Sequence, residues 1–203
     1  MEQGSILEPV KEVASIAAGN AATALSKLVG QQVVVAVPSV TLLPVEQISQ
    51  DLGPSAQLSS AGIVKIDGDV QGLILLSFTP SDAKVVAADI ATKQTGSTYQ
   101  DADQSVLREM VNIVSGAALT ALENFIGLHF TQSVPVSTTD MLGALLDPLL
   151  AEQGATYDHL LVIQEVCTVA VKGVSLKLLI VLDPPSTTKV TQKLAEKLNG
   201  PHV

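Results

Sequence analysis

The strongest constraint on the fold of this 203-residue chain is that it matches itself when it is shifted by 97 positions. About ten positions over a stretch of roughly thirty are identical, including two glycines and a proline. The aligned pairs are Glu12 and Glu109, Ile16 and Ile113, Gly19 and Gly116, Ala21 and Ala118, Thr23 and Thr120, Ala24 and Ala121, Leu25 and Leu122, Gly30 and Gly127, Val37 and Val134, and Pro38 and Pro135. Shared helical composition does not explain matched glycines and a matched proline, so the sequence predicts two homologous halves.

The order of predicted elements also repeats. We predict one domain over residues 1–203, made of two repeats at about 5–93 and 102–199, each with a long helix, strands and a second helix. In the first repeat these are a helix over 6–29, one or two strands in 31–45, two strands about Asp67-Gly68 and a helix over 79–92. A polar connector over 93–104 is followed by a helix to 126, a strand in 128–136, a helix near 141–152, two strands in 159–182 and a helix after Pro184-Pro185. The predicted fold class is α+β, with a central, mainly antiparallel sheet and two long helices lying on it.

Composition excludes several classes of protein. A net charge of −9 argues against nucleic acid or an anionic membrane as the main partner, since both require a basic surface. The single cysteine, Cys167, lies in an apolar run and predicts a buried, inert thiol. Because the N-terminus lacks the pattern of a signal peptide and no uninterrupted apolar run is long enough for a membrane span, we expect a cytoplasmic protein.

A narrow polar stripe runs along the second long helix. At 100 degrees per residue, Ser105, Glu109, Asn112 and Gly116 fall within an arc of about 60 degrees, and most of the remaining circumference is apolar. Taken alone, this stripe is typical of a solvated helix face. Gly116 favours a more specific role, because glycine in a helix interior costs about 1 kcal/mol relative to alanine.

Two explanations of Gly116 remain open from the sequence. A missing side chain one turn after Asn112 would let another surface approach the carboxamide, and Gly19 repeats the arrangement in the first half. Alternatively, a neighbouring helix could cross closely at the glycine.

These residues resemble the CheC-type phosphatases of chemotaxis, which are related to CheX and to the N-terminal part of FliY. The family signature is Asp or Ser, three residues, Glu, two residues, Asn, twenty-two residues and Pro. This chain has Ser105, Glu109, Asn112 and Pro135 at those spacings. The first copy also resembles the amino-terminal helix and strand of such proteins, notably in "AGNAATALS".

The resemblance implies a hydrolase that acts on CheY-P, the phosphorylated form of a chemotaxis response regulator. By this resemblance, Asn112 orients a water in line with the phosphorus of the aspartyl phosphate, and Glu109 pairs with a lysine of the regulator. A carboxamide suits this role because it both donates and accepts hydrogen bonds without changing its protonation. The resemblance implies no cofactor in this chain, with Mg²⁺ expected on the regulator, and no metal site is visible. His129, His159 and His202 lack ligand spacing.

The first copy departs from this signature. Glu12 and Pro38 stand at the expected spacing, but Ser15 occupies the asparagine position and Glu8 the leading position. Since serine is shorter and has a single hydroxyl, we predict that the first site is weak or silent. We also predict that Ser15→Asn increases the release of phosphate from the phosphorylated regulator. Glu12 either helps to dock a regulator or lines a solvated stripe. We interpret Pro38 and Pro135 as scaffold residues at strand beginnings or edges.

Two other functions remain open. The chain could be an adaptor that docks a regulator, or the deamidase CheD with which CheC-type proteins pair, without hydrolysis. It could also be a flagellar switch component like FliY, although the extra C-terminal domain of such proteins is not found in these residues.

Overall fold

A computed structural model describes residues 3–95 and 104–199, and within them two runs of elements follow the same order. The first run is α1 (Gln3–Val29), β1 (Val33–Val35), β2 (Ser39–Pro44), α2 (Val45–Leu52), β3 (Leu58–Gly68), β4 (Gly72–Phe78) and α3 (Pro80–Thr95). The second run is α4 (Gln104–Ile126), β5 (Phe130–Gln132), β6 (Val136–Met141), α5 (Leu142–Gly154), β7 (His159–Val169), β8 (Val174–Leu182) and α6 (Pro184–Asn199). The predicted connector over 93–104 lies mostly outside the described residues.

The strands form one antiparallel sheet in which the two halves exchange their short edge strands. The order is β1, β7, β8, β4, β3 and β5, with β2 beside β7 and β6 beside β3. The edge strands of each half therefore pair with the long hairpin of the other half, while β4 and β8 pair at the centre. This arrangement confirms the predicted α+β class with a mainly antiparallel sheet.

The helices cover both faces of the sheet. On one face α1 and α4 pack against each other, and α3 and α6 complete the larger core. On the other face α2 and α5 enclose a smaller core. By length and composition α4 could span a membrane, but its apolar side is buried in the larger core, as expected of the central helix of a globular domain.

Several predicted boundaries were wrong for identifiable reasons. Helix α1 begins at Gln3, which moves Pro9 from the first turn into the second. Strand β3 continues through Asp67-Gly68, because residues 66–68 pair with β5 of the other half, and the hairpin turn follows at 69–71. The segment predicted as one strand over 128–136 contains only β5 and the first residue of β6, and neither the rest of β6 nor α2 was predicted.

Pro38 and Pro135 stand at equivalent breaks in the two edges. Each directly precedes the second short strand of its edge, where a missing N–H is tolerated. Two residues before each proline, the backbone N–H still pairs with the neighbouring strand: Ala36 N with Val166 O and Ser133 N with Lys65 O, both at 2.9 Å. The prolines therefore lie between the two short strands of each edge, and their scaffold role stays a prediction.

One carboxylate lies within the larger core. Glu165 on β7 is 2% exposed, and both of its carboxylate oxygens lack a hydrogen-bond partner among the described residues. Burial raises the pKa of Glu165 from 4.5 to about 8. Burial, followed by the nearby Glu165 charge, raises the pKa of Cys167 to about 12, which agrees with the predicted inert thiol.

Candidate active site

The polar stripe on α4 faces solvent because the opposite side of the helix supplies the core. Val106, Leu107, Met110, Val111, Val114 and Ala118 are buried. Ser105, Glu109 and Asn112 are exposed, and Gly116 is half-buried. A partner can therefore reach the carboxylate and the carboxamide without any movement of the helix.

The Asn112 carboxamide is held by Gln132, the last residue of β5. Gln132 Nε2 donates to Asn112 Oδ1 over 2.7 Å and lies 3.2 Å from the backbone carbonyl oxygen of Asn112. On the other side, Ser115 Oγ donates to Gln132 Oε1 over 2.6 Å. A chain of three side chains thus connects the helix, the edge strand and the exposed amide.

The backbone carbonyl of Asn112 fixes the direction of these hydrogen bonds. A carbonyl oxygen can only accept, so the Gln132 atom that faces it must be the amide nitrogen. Gln132 Oε1 then faces Ser115, whose hydroxyl must be the donor. Ser115 is fully buried, and its single hydroxyl hydrogen is shared between Gln132 Oε1 and the Val111 carbonyl oxygen, which lies 2.5 Å from Ser115 Oγ. The orientation of the Gln132 amide is therefore determined by the surrounding acceptors and donors.

The two matched glycines lie in open surroundings. A Cβ atom at Gly116 would have Gln132 Nε2 at 3.8 Å, an ordinary contact, and a Cβ atom at Gly19 would meet nothing within 4 Å. No described helix crosses closely at either position, so the predicted alternative of a tight crossing is wrong. Space beside Asn112 is present, as the first explanation of Gly116 requires.

The first copy lacks the whole arrangement around its motif. Ser15, Glu12 and Gly19 are exposed and Pro38 is buried, but the Ser15 hydroxyl donates to the Lys11 carbonyl oxygen over 2.9 Å. At the offset of 97, Ala18 corresponds to Ser115 and Val35 to Gln132. Neither residue can hydrogen-bond to a side chain at position 15.

Sequence reasoning missed Gln132 and Ser115, although the repeat contained a signal for them. In the aligned halves, both positions are apolar in the copy with Ser15 and polar in the copy with Asn112. Since three positions change together, the comparison of the two copies could have found the pair before the structure did.

The titratable groups outside the stripe form no second centre among the described residues. No three His, Cys, Asp or Glu side chains lie close enough together to hold a metal ion in residues 3–95 and 104–199. His129 Nδ1 lies 3.2 Å from Glu123 Oε1 at the surface, and His159 is exposed. His202 lies outside the described residues.

Comparison with known proteins finds similarity to chemotaxis proteins. The family model described as "Chemotaxis phosphatase CheX" matches residues 60–156, which include Glu109, Asn112 and Gln132. The CheY-P phosphatase CheC of Bacillus subtilis is 25% identical over 163 residues, which is 77% of this chain and 77% of that protein. The crystal structure of Thermotoga maritima FliY superposes with a TM-score of 0.73 at 19% identity, covering 97% of this chain and 99% of that one. A CheX structure from Desulfovibrio desulfuricans gives a TM-score of 0.58 at 18% identity, covering 85% and 99%.

Proposed function

We propose that this chain, which is similar to chemotaxis phosphatases of the CheC/CheX/FliY type, hydrolyses the aspartyl phosphate of a CheY-like response regulator. Asn112 orients the attacking water, and Glu109 docks the regulator by pairing with one of its lysines. The observation that carries this proposal is the exposed Asn112 carboxamide, held by Gln132 three residues from an exposed carboxylate on the same helix face. Ser105, Gly116 and Pro135 support this motif as neighbours and scaffold.

The proposed chemistry requires little more than alignment. The water oxygen forms a bond to phosphorus while the bond between phosphorus and the aspartyl oxygen breaks, and the aspartate carboxylate leaves with the electron pair. The products are inorganic phosphate and the unmodified regulator. Such phosphoryl transfer depends mainly on positioning and charge stabilisation. In this proposal the regulator brings the Mg²⁺, and this chain contributes the amide that holds the water.

The remaining hydrogen-bonding capacity of the Asn112 carboxamide suits that water. With one lone pair of Oδ1 engaged by Gln132, a second remains to accept from the water, and Nδ2 carries two hydrogens that can donate to it. A hundredfold acceleration over the regulator's own hydrolysis corresponds to about 2.7 kcal/mol. One well-placed amide can supply an effect of this size.

A second function, docking without hydrolysis, is favoured for the first copy by one observation. That copy presents Glu12 to solvent but has Ser15 in place of the amide, and the serine hydroxyl is occupied by its own helix. We assign it, at most, regulator binding. A cytoplasmic location remains a prediction from the sequence pattern, and an interaction with a CheD-type deamidase remains a prediction from the resemblance.

Phosphate release from the phosphorylated cognate regulator tests the main proposal. We expect Asn112→Ala to reduce release to the regulator's own rate, while Asn124→Ala, an exposed asparagine on the same helix, leaves it unchanged. Unchanged release in Asn112→Ala would reject the assignment of this site. If the wild-type protein binds the phosphorylated regulator without accelerating release, the adaptor function replaces the hydrolase.

A further inference from the structure

We propose that Gln132 and Ser115 form an amide clamp that positions the Asn112 carboxamide for the reaction. This inference rests on the proposed function and assigns the two residues a positioning role, since neither is proposed to touch the phosphate or the water. Gln132 acts on Asn112, and Ser115 acts on Gln132. The clamp is built from β5 and α4, so the edge strand determines where the exposed amide points.

The first step of the argument concerns the freedom of an exposed asparagine. An asparagine side chain at the surface of a helix rotates about two torsions, and most of its orientations do not present both amide ends in one direction. The bond of 2.7 Å from Gln132 Nε2 to Asn112 Oδ1 selects one orientation. Because phosphoryl transfer rewards alignment, selecting this orientation before the regulator arrives increases the rate of the chemical step.

The second step concerns Gln132 itself, which is also an amide with two ends. Its nitrogen faces two acceptors, Asn112 Oδ1 and the Asn112 backbone oxygen, and its oxygen faces the buried Ser115 hydroxyl. If the amide turned over, its oxygen would face two other oxygens and lose both bonds. The Asn112 backbone oxygen, which can only accept, therefore keeps Gln132 in the orientation that donates to Asn112, and Ser115 supports this orientation by donating to Gln132 Oε1.

The first copy supplies an internal comparison. It lacks the asparagine and both clamp residues, with Ser15, Ala18 and Val35 at the three positions. A requirement for the amide alone would leave the other two positions unrelated to it. Their joint replacement fits three residues that work as one unit.

The clamp can be tested without any activity measurement. In ¹⁵N-labelled protein, the Asn112 side-chain amide signal is assigned by its disappearance in Asn112→Ala. We expect its order parameter to be about 0.8 in the wild type and to fall below about 0.6 in Gln132→Met and in Ser115→Ala. Thr131→Val, at the neighbouring exposed position of β5, is the matched control and leaves the signal unchanged. An unchanged order parameter in Gln132→Met would overturn the clamp.

Phosphate release then tests whether this order matters for the reaction. We expect Gln132→Met and Ser115→Ala each to lower kcat about tenfold, with KM for the phosphorylated regulator and the unfolding midpoint unchanged. The double variant should lose no more than Gln132→Met, since Ser115 acts through Gln132. Unchanged kcat with a lowered order parameter would reject the positioning role, provided that Asn112→Ala abolishes release. If Asn112→Ala has no effect on release, the proposed function fails, and the order parameter alone decides whether the clamp exists.

A second test introduces the clamp residues into the first copy, where we expect a gain of phosphate release instead of a loss. In an Asn112→Ala background, we expect Ser15→Asn alone to restore little release, in contrast to the gain predicted from the sequence. The triple change Ser15→Asn, Ala18→Ser and Val35→Gln should restore at least tenfold more. Equal release from the single and triple variants, with equal unfolding midpoints, would contradict the clamp.

Discussion

The buried carboxyl of Glu165 should make the stability of this protein depend on pH in an unusual direction. Its pKa is 4.5 in an unfolded chain and about 8 in the fold, and burial is the cause. Between these two values the unfolded chain is ionised at this position while the folded chain stays protonated, so the folded state binds the extra proton. The free energy of unfolding is then highest below about pH 4.5, falls as the pH rises, and reaches a lower plateau above about pH 8.

The structure sets the size of this effect. Each unit of difference in pKa is worth about 1.4 kcal/mol, so the free energy of unfolding should fall by about 3 kcal/mol between pH 5.5 and 7.5. Glu165→Gln keeps the size and shape of the side chain but does not titrate. We therefore expect the free energy of unfolding of Glu165→Gln, relative to that of the wild type, to rise by about 3 kcal/mol between pH 5.5 and 7.5.

Urea unfolding of both proteins at pH 5.5, 6.5, 7.5 and 8.5 measures this difference directly. Comparison at each pH cancels the contributions of every other group, which both proteins share. Glu165→Val is a useful second variant, because β3 and β7 have equal lengths and Val64 occupies the equivalent position of β3. Parallel stability curves for the wild type and both variants over this pH range would refute the reasoning.

The remaining predictions concern packing and the thiol. An added Cβ at Gly62 would lie 2.9 Å from Val111 Cβ, so Gly62→Ala should lower the free energy of unfolding by about 1–3 kcal/mol in urea titrations. Gly116→Ala, whose Cβ would meet only an ordinary contact, should instead raise it by up to about 1 kcal/mol, and a loss of stability there would contradict the open surroundings. Cys167 should react with a thiol reagent at pH 8 only after urea unfolding, and rapid reaction of the folded protein would show that it is accessible.

The sequence predicted the order of elements well because periodicity and the repeat reinforce each other. Helix α4 carries a long apolar pattern, and its end at Ile126 followed by Gly127 agrees with the structure. Helix α2 was missed because eight residues with two buried aliphatic side chains, Ile48 and Leu52, give little periodic signal. The predicted strand boundaries were wrong where pairing with a strand far away in the sequence determines them. At Asp67-Gly68, pairing with β5 keeps both residues in the sheet.

The sequence predicted only the part of the candidate site that lies within about one turn of a single helix. Glu109 and Asn112 share a helix face by spacing alone, which is local information. Gln132 lies twenty residues further on, and its contact with Asn112 depends on where β5 joins the sheet. The burial of Glu165 was equally hidden, because β7 is apolar on both faces and its sequence does not show which side chain faces the larger core.

The exchange of edge strands explains what the first half contributes even though Ser15 stands at its asparagine position. Gln132 is held in place by β5, and the register of β5 is fixed by Ile66, Asp67 and Gly68 of β3, which belongs to the first half. The Asn112 clamp therefore depends on a hairpin from the copy that has Ser15 in place of the asparagine. Ser15 makes no contact with the second site, whereas loss of β3 would remove the support of Gln132. The first half can thus lose its amide while its sheet remains indispensable.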